Sequence, residues 1–162
     1  MNDREQRIFR FDAKIISEEV AISSRNYSID YIGHDGAVNR IEAISDGEIW
    51  KVYYPEVNAE FDQVLEVHRR QYPGVRAAIS RPRRHISDDR FVFRCYSFDR
   101  NEKLVDIADC TVDAEERVLR EVEYDNKEER VIASFEYLYD GYKLIKVLEF
   151  DSKGDKVGEM EL

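Results

Sequence analysis

Alternation of apolar and polar residues is strongest between Arg90 and Leu162. There it predicts six short strands joined by five tight polar turns, with no helical period between them. The turns fall at Asp99-Arg100-Asn101-Glu102, Asp113-Ala114-Glu115-Glu116, Asp125-Asn126-Lys127-Glu128-Glu129, Asp140-Gly141 and Asp151-Ser152-Lys153-Gly154-Asp155. Asp140-Gly141 reads as a two-residue type I′ turn, which needs positive φ at both residues. Its register would set Tyr139 opposite Tyr142, Tyr137 opposite Leu144, Phe135 opposite Lys146, Ala133 opposite Leu148 and Val131 opposite Phe150. One face of this hairpin is then almost wholly apolar. On the other, Leu138, Ile132, Ile145 and Val147 alternate with Glu136, Lys143, Ser134 and Glu149. A half-apolar outer face predicts a cover, either a helix of the same chain or a partner protein.

Upstream, residues 7–54 read as a first set of strands. Ile8 to Ile16 is one strand, and Glu18 to Ser24 is its continuation or a second one. Tyr27, Ile29 and Tyr31 alternate with polar residues, and Val38–Ile44 and Glu48–Tyr54 form a hairpin around Ser45-Asp46-Gly47. Trp50 shares a face with Val52 and Tyr54, which assigns it to the core. Residues 58–71 form the main helix, with Asn58 as N-cap, acids in the first turn and a stop at Pro73-Gly74. Its apolar stripe is Phe61, Val64, Leu65, His68 and Tyr72, so His68 reads as a hydrogen-bonded histidine at the core edge. Residues 73–89 read as a basic loop, and residues 90–162 as the meander. The expected fold is a single α+β domain over 1–162, mostly β: an antiparallel up-and-down meander, a curved sheet or partial barrel, with one main helix.

Tyr139-Asp140-Gly141, Phe150-Asp151-Ser152-Lys153-Gly154 and Asp30-Tyr31-Ile32-Gly33-His34-Asp35-Gly36-Ala37-Val38 carry a family likeness. These turns resemble the Tyr-Asp turns of YD-repeat (RHS-type) proteins. The resemblance implies consecutive β-hairpins. It covers the turns alone, and glycine is missing from those near Asp113 and Asp125.

Net charge then narrows the partners. The chain has 162 residues and carries −10, which argues against a general nucleic-acid binder, whose affinity rests on Lys and Arg at phosphates. Residues 58–100 hold nine basic against six acidic residues, and residues 101–162 hold nine against eighteen. The opening residues 1–7 are charged and lack the apolar segment of a secretory signal, and no apolar stretch approaches a membrane span. Cytoplasmic residence and no membrane partner are expected. Cys95 falls opposite about Asp106 rather than Cys110, so both cysteines are expected as free thiols.

Candidate chemistry is sparse. His34, His68 and His85 show no metal-ligand spacing, and no phosphate loop, G-x-S-x-G or H-E-x-x-H is present. No enzyme activity, metal or cofactor is therefore expected. In an up-and-down meander alternate turns share one end of the sheet, which gathers Asp113, Glu115, Glu116 and Asp140 with Arg117 as their one nearby base. This acidic end, read as exposed, is the first candidate for binding a partner. The second is the run Arg81, Arg83 and Arg84, which either contacts an anion or acidic partner or pairs with the protein's own acids. Small, acidic, motif-free chains of this kind resemble in type the bacterial toxin-immunity and antitoxin proteins that neutralise a basic partner protein, such as a toxin. The alternatives are a small-molecule-binding β-barrel or cup, and an enzyme whose site is not visible in the sequence.

Overall fold

The structure, a computed structural model, describes residues 5–11, 14–127 and 130–162. Glu128 and Glu129 of the third meander turn, and positions 12 and 13 of the first expected strand, lie outside the described residues. Among the described residues, thirteen strands and two helices make a mostly β fold of mainly antiparallel up-and-down strands. The chain divides into two compact units, one reaching to Ser80 and including Phe98–Lys103, the other Arg81–Ser97 with Leu104–Leu162. Among the described residues no helix is long and apolar enough to cross a membrane.

The first unit contains β1 (Gln6–Phe11), β2 (Lys14–Ile16), α1 (Glu18–Ser24), β3 (Tyr27–Ile32), β4 (Val38–Ser45), β5 (Glu48–Tyr54), α2 (Phe61–Gln71) and β6 (Arg76–Ser80). Its strand order is β2-β1-β3-β4-β5-β6. All neighbours are antiparallel except β5 and β6, which run parallel and are joined through α2, the crossover that a parallel pair needs.

Several expectations change in this unit, beginning with Ile8–Ile16, which holds parts of two antiparallel strands, β1 and β2, with Phe11 opposite Lys14, rather than one strand. Glu18–Ser24 is a helix, not a strand, because Ser17 caps it: its Oγ accepts the Val20 N–H at 3.3 Å and two acids fill the first turn. The helix buries Ala21 against Phe9, Ile29 and Ile44. The main helix begins at Phe61, with Glu60 rather than Asn58 at its N-cap. Trp50 is not in the core but 42% exposed. It is the extra residue of a β-bulge, since Ala43 pairs with Lys51 while Ile44 pairs with Ile49.

Polar contacts fasten α2 to the sheet. His68 is 2% exposed, and its Nε2 lies 3.0 Å from the Val75 carbonyl oxygen. A carbonyl only accepts, so Nε2 carries the proton and Nδ1 accepts from the Tyr54 hydroxyl at 2.9 Å. Burial pushes the Tyr54 hydroxyl up to about 12, which keeps it a donor. One turn on, Tyr72 donates to the buried carboxylate of Glu42 at 2.5 Å, and Tyr31 donates to the other oxygen at 2.9 Å. Arg40 stacks 3.6 Å over the Tyr31 ring, donates to Tyr72 at 2.7 Å and pairs with Glu5 at 2.5 Å.

The expected basic loop over 73–89 contains two strands. Ala77, Ala78, Ile79 and Ser80 of β6 are at most 1% exposed. A strand buried on both faces has no alternation to betray it. The second strand, β7 (Arg84–Ser87), pairs with β8.

In the second unit the six expected strands stand in sequence order: β8 (Arg90–Phe98), β9 (Leu104–Asp113), β10 (Val118–Tyr124), β11 (Val131–Asp140), β12 (Lys143–Asp151) and β13 (Lys156–Glu161). This unit has no helix among its described residues; both helices belong to the first. The β11–β12 register differs from the expected one. Asp140 pairs with Lys143 and Tyr139 with Leu144, so the two turn residues are Gly141 and Tyr142. Positive φ occurs at Gly141 (58°) and at neither Asp140 nor Tyr142. Placing glycine first confines the strained conformation to the residue that tolerates it, the II′ rather than the I′ pattern. Ile145 is then left over as a bulge, and from Leu138↔Lys146 onward every pair lies three positions from the expected partner.

That bulge is one of a series. Asn39, Trp50, Leu119, Ile132, Ile145 and Val157 are each the extra residue of their hairpin. Each sits two positions after the residue that closes the turn. Such placement bends and twists successive strands in one sense.

A Cβ at Gly141 would meet nothing within 4 Å, so its requirement is purely one of backbone conformation. Gly141→Val is expected to destabilise the protein by about 1–3 kcal/mol in urea unfolding. An unchanged midpoint would refute this turn geometry.

Candidate partner-binding surface

Three turns of the meander share one hydrogen-bond design. Asp99 Oδ1 accepts the N–H groups of Asn101 (2.8 Å) and Lys103 (2.9 Å), and Asp113 Oδ1 those of Glu115 (3.0 Å) and Arg117 (2.9 Å). Asp151 Oδ1 accepts those of Lys153 (2.8 Å) and Asp155 (3.0 Å). In each, the fourth residue, Glu102, Glu116 or Gly154, has positive φ. Asp125 accepts from Lys127 at 2.7 Å in the same way. These aspartates hold their own backbone, the local use for which short carboxylates are favoured in turns.

The candidate acids therefore separate. Asp113 is not exposed as expected but 5% exposed, and it also accepts from Arg117 Nε at 2.6 Å. Burial opposes its charge, but the Arg117 N–H and guanidinium and the Glu115 N–H outweigh burial and hold the carboxyl below its ordinary value. Glu115 is bonded by Arg117 at 2.7 Å and Glu116 by Arg83 at 2.5 Å. Asp140 is exposed, and Arg117 binds the neighbouring Gly141 carbonyl at 2.6 Å. The acidic end thus has two bases, not one, and the second comes from the rival basic run. Of that run, Arg81 donates its backbone N–H to the Arg94 carbonyl at 2.9 Å, and Arg84, on β7, adds a minor electrostatic part to the lowering of the Asp109 carboxyl that the Arg94 hydrogen bonds mainly cause.

Carboxylates without such compensation stand on one face of the meander. Residues directly opposite in antiparallel strands share a face. One cross-strand row reads Cys110, Glu121, Phe135, Glu149, Gly158, and the next Ala108, Glu123, Ala133, Asp151. A third holds Tyr137, Val147 and Met160. Asp106 joins this face by alternation from Ala108. None of these residues is basic. The opposite face has the rows Thr111, Arg120, Glu136, Leu148, Glu159 and Asp109, Val122, Ser134, Phe150, Lys156. There Arg94 holds Asp109 with two bonds of 2.7 and 2.9 Å, and Lys146 holds Glu159 at 2.6 Å. One face is balanced by ion pairs and the other is not.

The electrostatics follow. Burial pushes the Glu123 carboxyl up, and the carboxylates of Asp106, Glu121 and Glu149 push it further. Burial raises the Tyr137 hydroxyl, and the nearby Glu121, to which it donates at 3.1 Å, raises it further. Burial raises the free thiol of Cys110 in the same way, with Glu121 adding to it. Cys95 likewise is not in a disulfide. The sequence shows Glu121 and Glu123 at spacing two, which places them on one face. Joining them to Glu149 required the register, which the bulges had hidden.

Among the described residues no group of His, Cys, Asp or Glu is arranged to hold a metal ion. A depression lined by Arg130, Val131, Ile132 and Ser152 lies beside a bulge rather than among the tyrosines. Comparison with protein-family models, curated proteins and solved structures finds no match.

Asp113→Asn is expected to lower stability at neutral pH by about 1–2 kcal/mol. Because the folded carboxyl is depressed, its contribution is complete above the ordinary 3.8 and lost as pH falls below it. Melting curves of wild type and variant should converge in acid. A gap that persists there would show that the charge is not the cause.

Proposed function

We propose that this chain is a non-enzymatic acidic binding protein, of the immunity or antitoxin type, that neutralises a basic partner protein. The observation that supports this reading is the difference between the meander's two faces. One matches its acids with Arg94, Lys146 and Lys156. The other sets Asp106, Glu121, Glu123 and Glu149 among Ala108, Ala133, Phe135, Tyr137 and Val147, with no base among the described residues of those rows. Carboxylates that repel one another, spaced by apolar and aromatic groups, favour a cationic protein in two ways. The field steers its approach, and the apolar groups between the acids give contact area. The turn acids Asp113, Glu115 and Glu116 serve this reading less well, since Arg117 and Arg83 already engage them.

The test is association with a small basic protein of pI above about 9, a charge-matched probe in the sense of electrostatic steering. The combined change Glu121→Gln, Glu123→Gln and Glu149→Gln should weaken binding about tenfold or more at low salt and flatten its salt dependence. Glu115→Gln with Glu116→Gln, or Arg81→Ala, Arg83→Ala and Arg84→Ala, should have little effect. Loss through the arginine set alone would overturn the reading. A second consequence concerns stability. With its carboxyl raised, Glu123 disfavours the fold as pH rises through that value, so Glu123→Gln should raise the melting temperature at neutral pH, by no more than about 1 kcal/mol in stability. The gain should shrink in acid. A loss of stability at pH 7 would refute the like-charge argument.

A further inference from the structure

The chain answers the question of what its uncompensated face fits by the way it uses its own arginines. Arg40 stacks 3.6 Å over the Tyr31 ring and reaches Glu5 at 2.5 Å and Glu42 at 3.7 Å. Arg94 lies 4.9 Å over Tyr124 and holds Asp109 through two nitrogens. Arg117 lies 5.7 Å from the Tyr139 ring and bonds Asp113 and Glu115. Three times, then, a guanidinium sits on an aromatic ring of the sheet while adjacent carboxylates take its N–H groups. The physical basis is common to all three: the ring face attracts the cation and leaves the planar fork free for two oxygens.

The row Glu121, Phe135, Glu149 supplies the same parts. Phe135 pairs with Glu121 on one side and with Glu149 on the other. Adjacent strands stand about 4.8 Å apart, which puts the two glutamates roughly 9.6 Å apart with the ring between them. None of the three makes an ion pair or ring contact with a described residue. The row is also open at its outer end. Glu149 is exposed, and beyond it stands Gly158, where a Cβ would come within 2.7 Å of Glu149 Oε2. The carboxylate thus lies over a residue with no side chain, and Met160 beside it is 61% exposed.

We infer that this sheet face docks an arginine of the basic partner, its guanidinium over Phe135 and its N–H groups on Glu121 and Glu149. The inference rests on the basic-partner reading above and sharpens it: the partner is recognised by arginine rather than by positive charge alone. Lysine would satisfy the charge, but its compact ammonium cannot stack a plane on the ring while forking to two carboxylates.

Two 12-residue peptides, identical except that one carries four arginines and the other four lysines, separate these ideas by titration calorimetry against the full chain. The arginine peptide should bind about three- to tenfold tighter. Phe135→Leu should bring its affinity down to that of the lysine peptide and leave the lysine peptide unchanged. Phe135→Tyr, which keeps the ring, should keep the preference and guards against a folding defect in the leucine variant. Equal affinities for the two peptides on wild type, with both weakened by Glu121→Gln and Glu149→Gln, would overturn the arginine inference and leave the basic-partner reading standing. Binding of neither peptide would overturn both.

Discussion

The meander strands depend on one repeated interaction, an aspartate oxygen that accepts two backbone N–H groups across its own turn. Asp99, Asp113 and Asp151 each do this, and each lets the fourth residue of the turn take a left-handed conformation. A chain reversal leaves N–H groups without ladder partners, and burial or crowding makes such orphans costly. Here the carboxylate satisfies them from within the loop. Strand phase follows from the turn, the bulge two residues later follows from strand phase, and the choice of which side chains share a face follows from the bulge.

This arrangement explains why acids are so frequent in the turns and why they are poor evidence of a binding surface. A carboxylate already committed to two N–H groups and an arginine, as Asp113 is, has little left to offer a partner. The informative acids are on strands, where no local backbone group needs them. Glu123 stands beside apolar residues, and burial, with the carboxylates of Asp106, Glu121 and Glu149, raises the cost of its charge.

The strands of the meander were legible in the sequence, because two-residue periodicity is local, and so were the turns at Asp99, Asp113 and Asp151, while the Asp140-Gly141 turn was placed one residue early. What was hidden depended on non-local or opposing effects. Bulges such as Ile145 look like any other strand residue, yet each shifts the partners of everything beyond it. Strand β6 showed no alternation because both its faces are covered. Helix α1 has seven residues, too few to reveal a period, and only Ser17 with the two glutamates marked its start. The pairing of Arg83 with Glu116, two residues assigned to rival surfaces, joins positions that are 33 apart in sequence. The carboxylate face was half legible: Glu121 and Glu123 share a face by spacing alone, while Glu149 and Phe135 join them only through strand pairing.

Sequence-neighbour pairing throughout β9–β13 also bears on how the chain reaches its fold. Each pair in that series closes a loop of only a few residues, so the entropy lost in closure is small and nearly the same for each. Assembly can start at any hairpin and spread to its neighbours, as in a one-dimensional repeat array. The first unit contains a slower element. Its parallel β5–β6 pair closes across the whole of α2, a longer closure with no local hairpin to guide it.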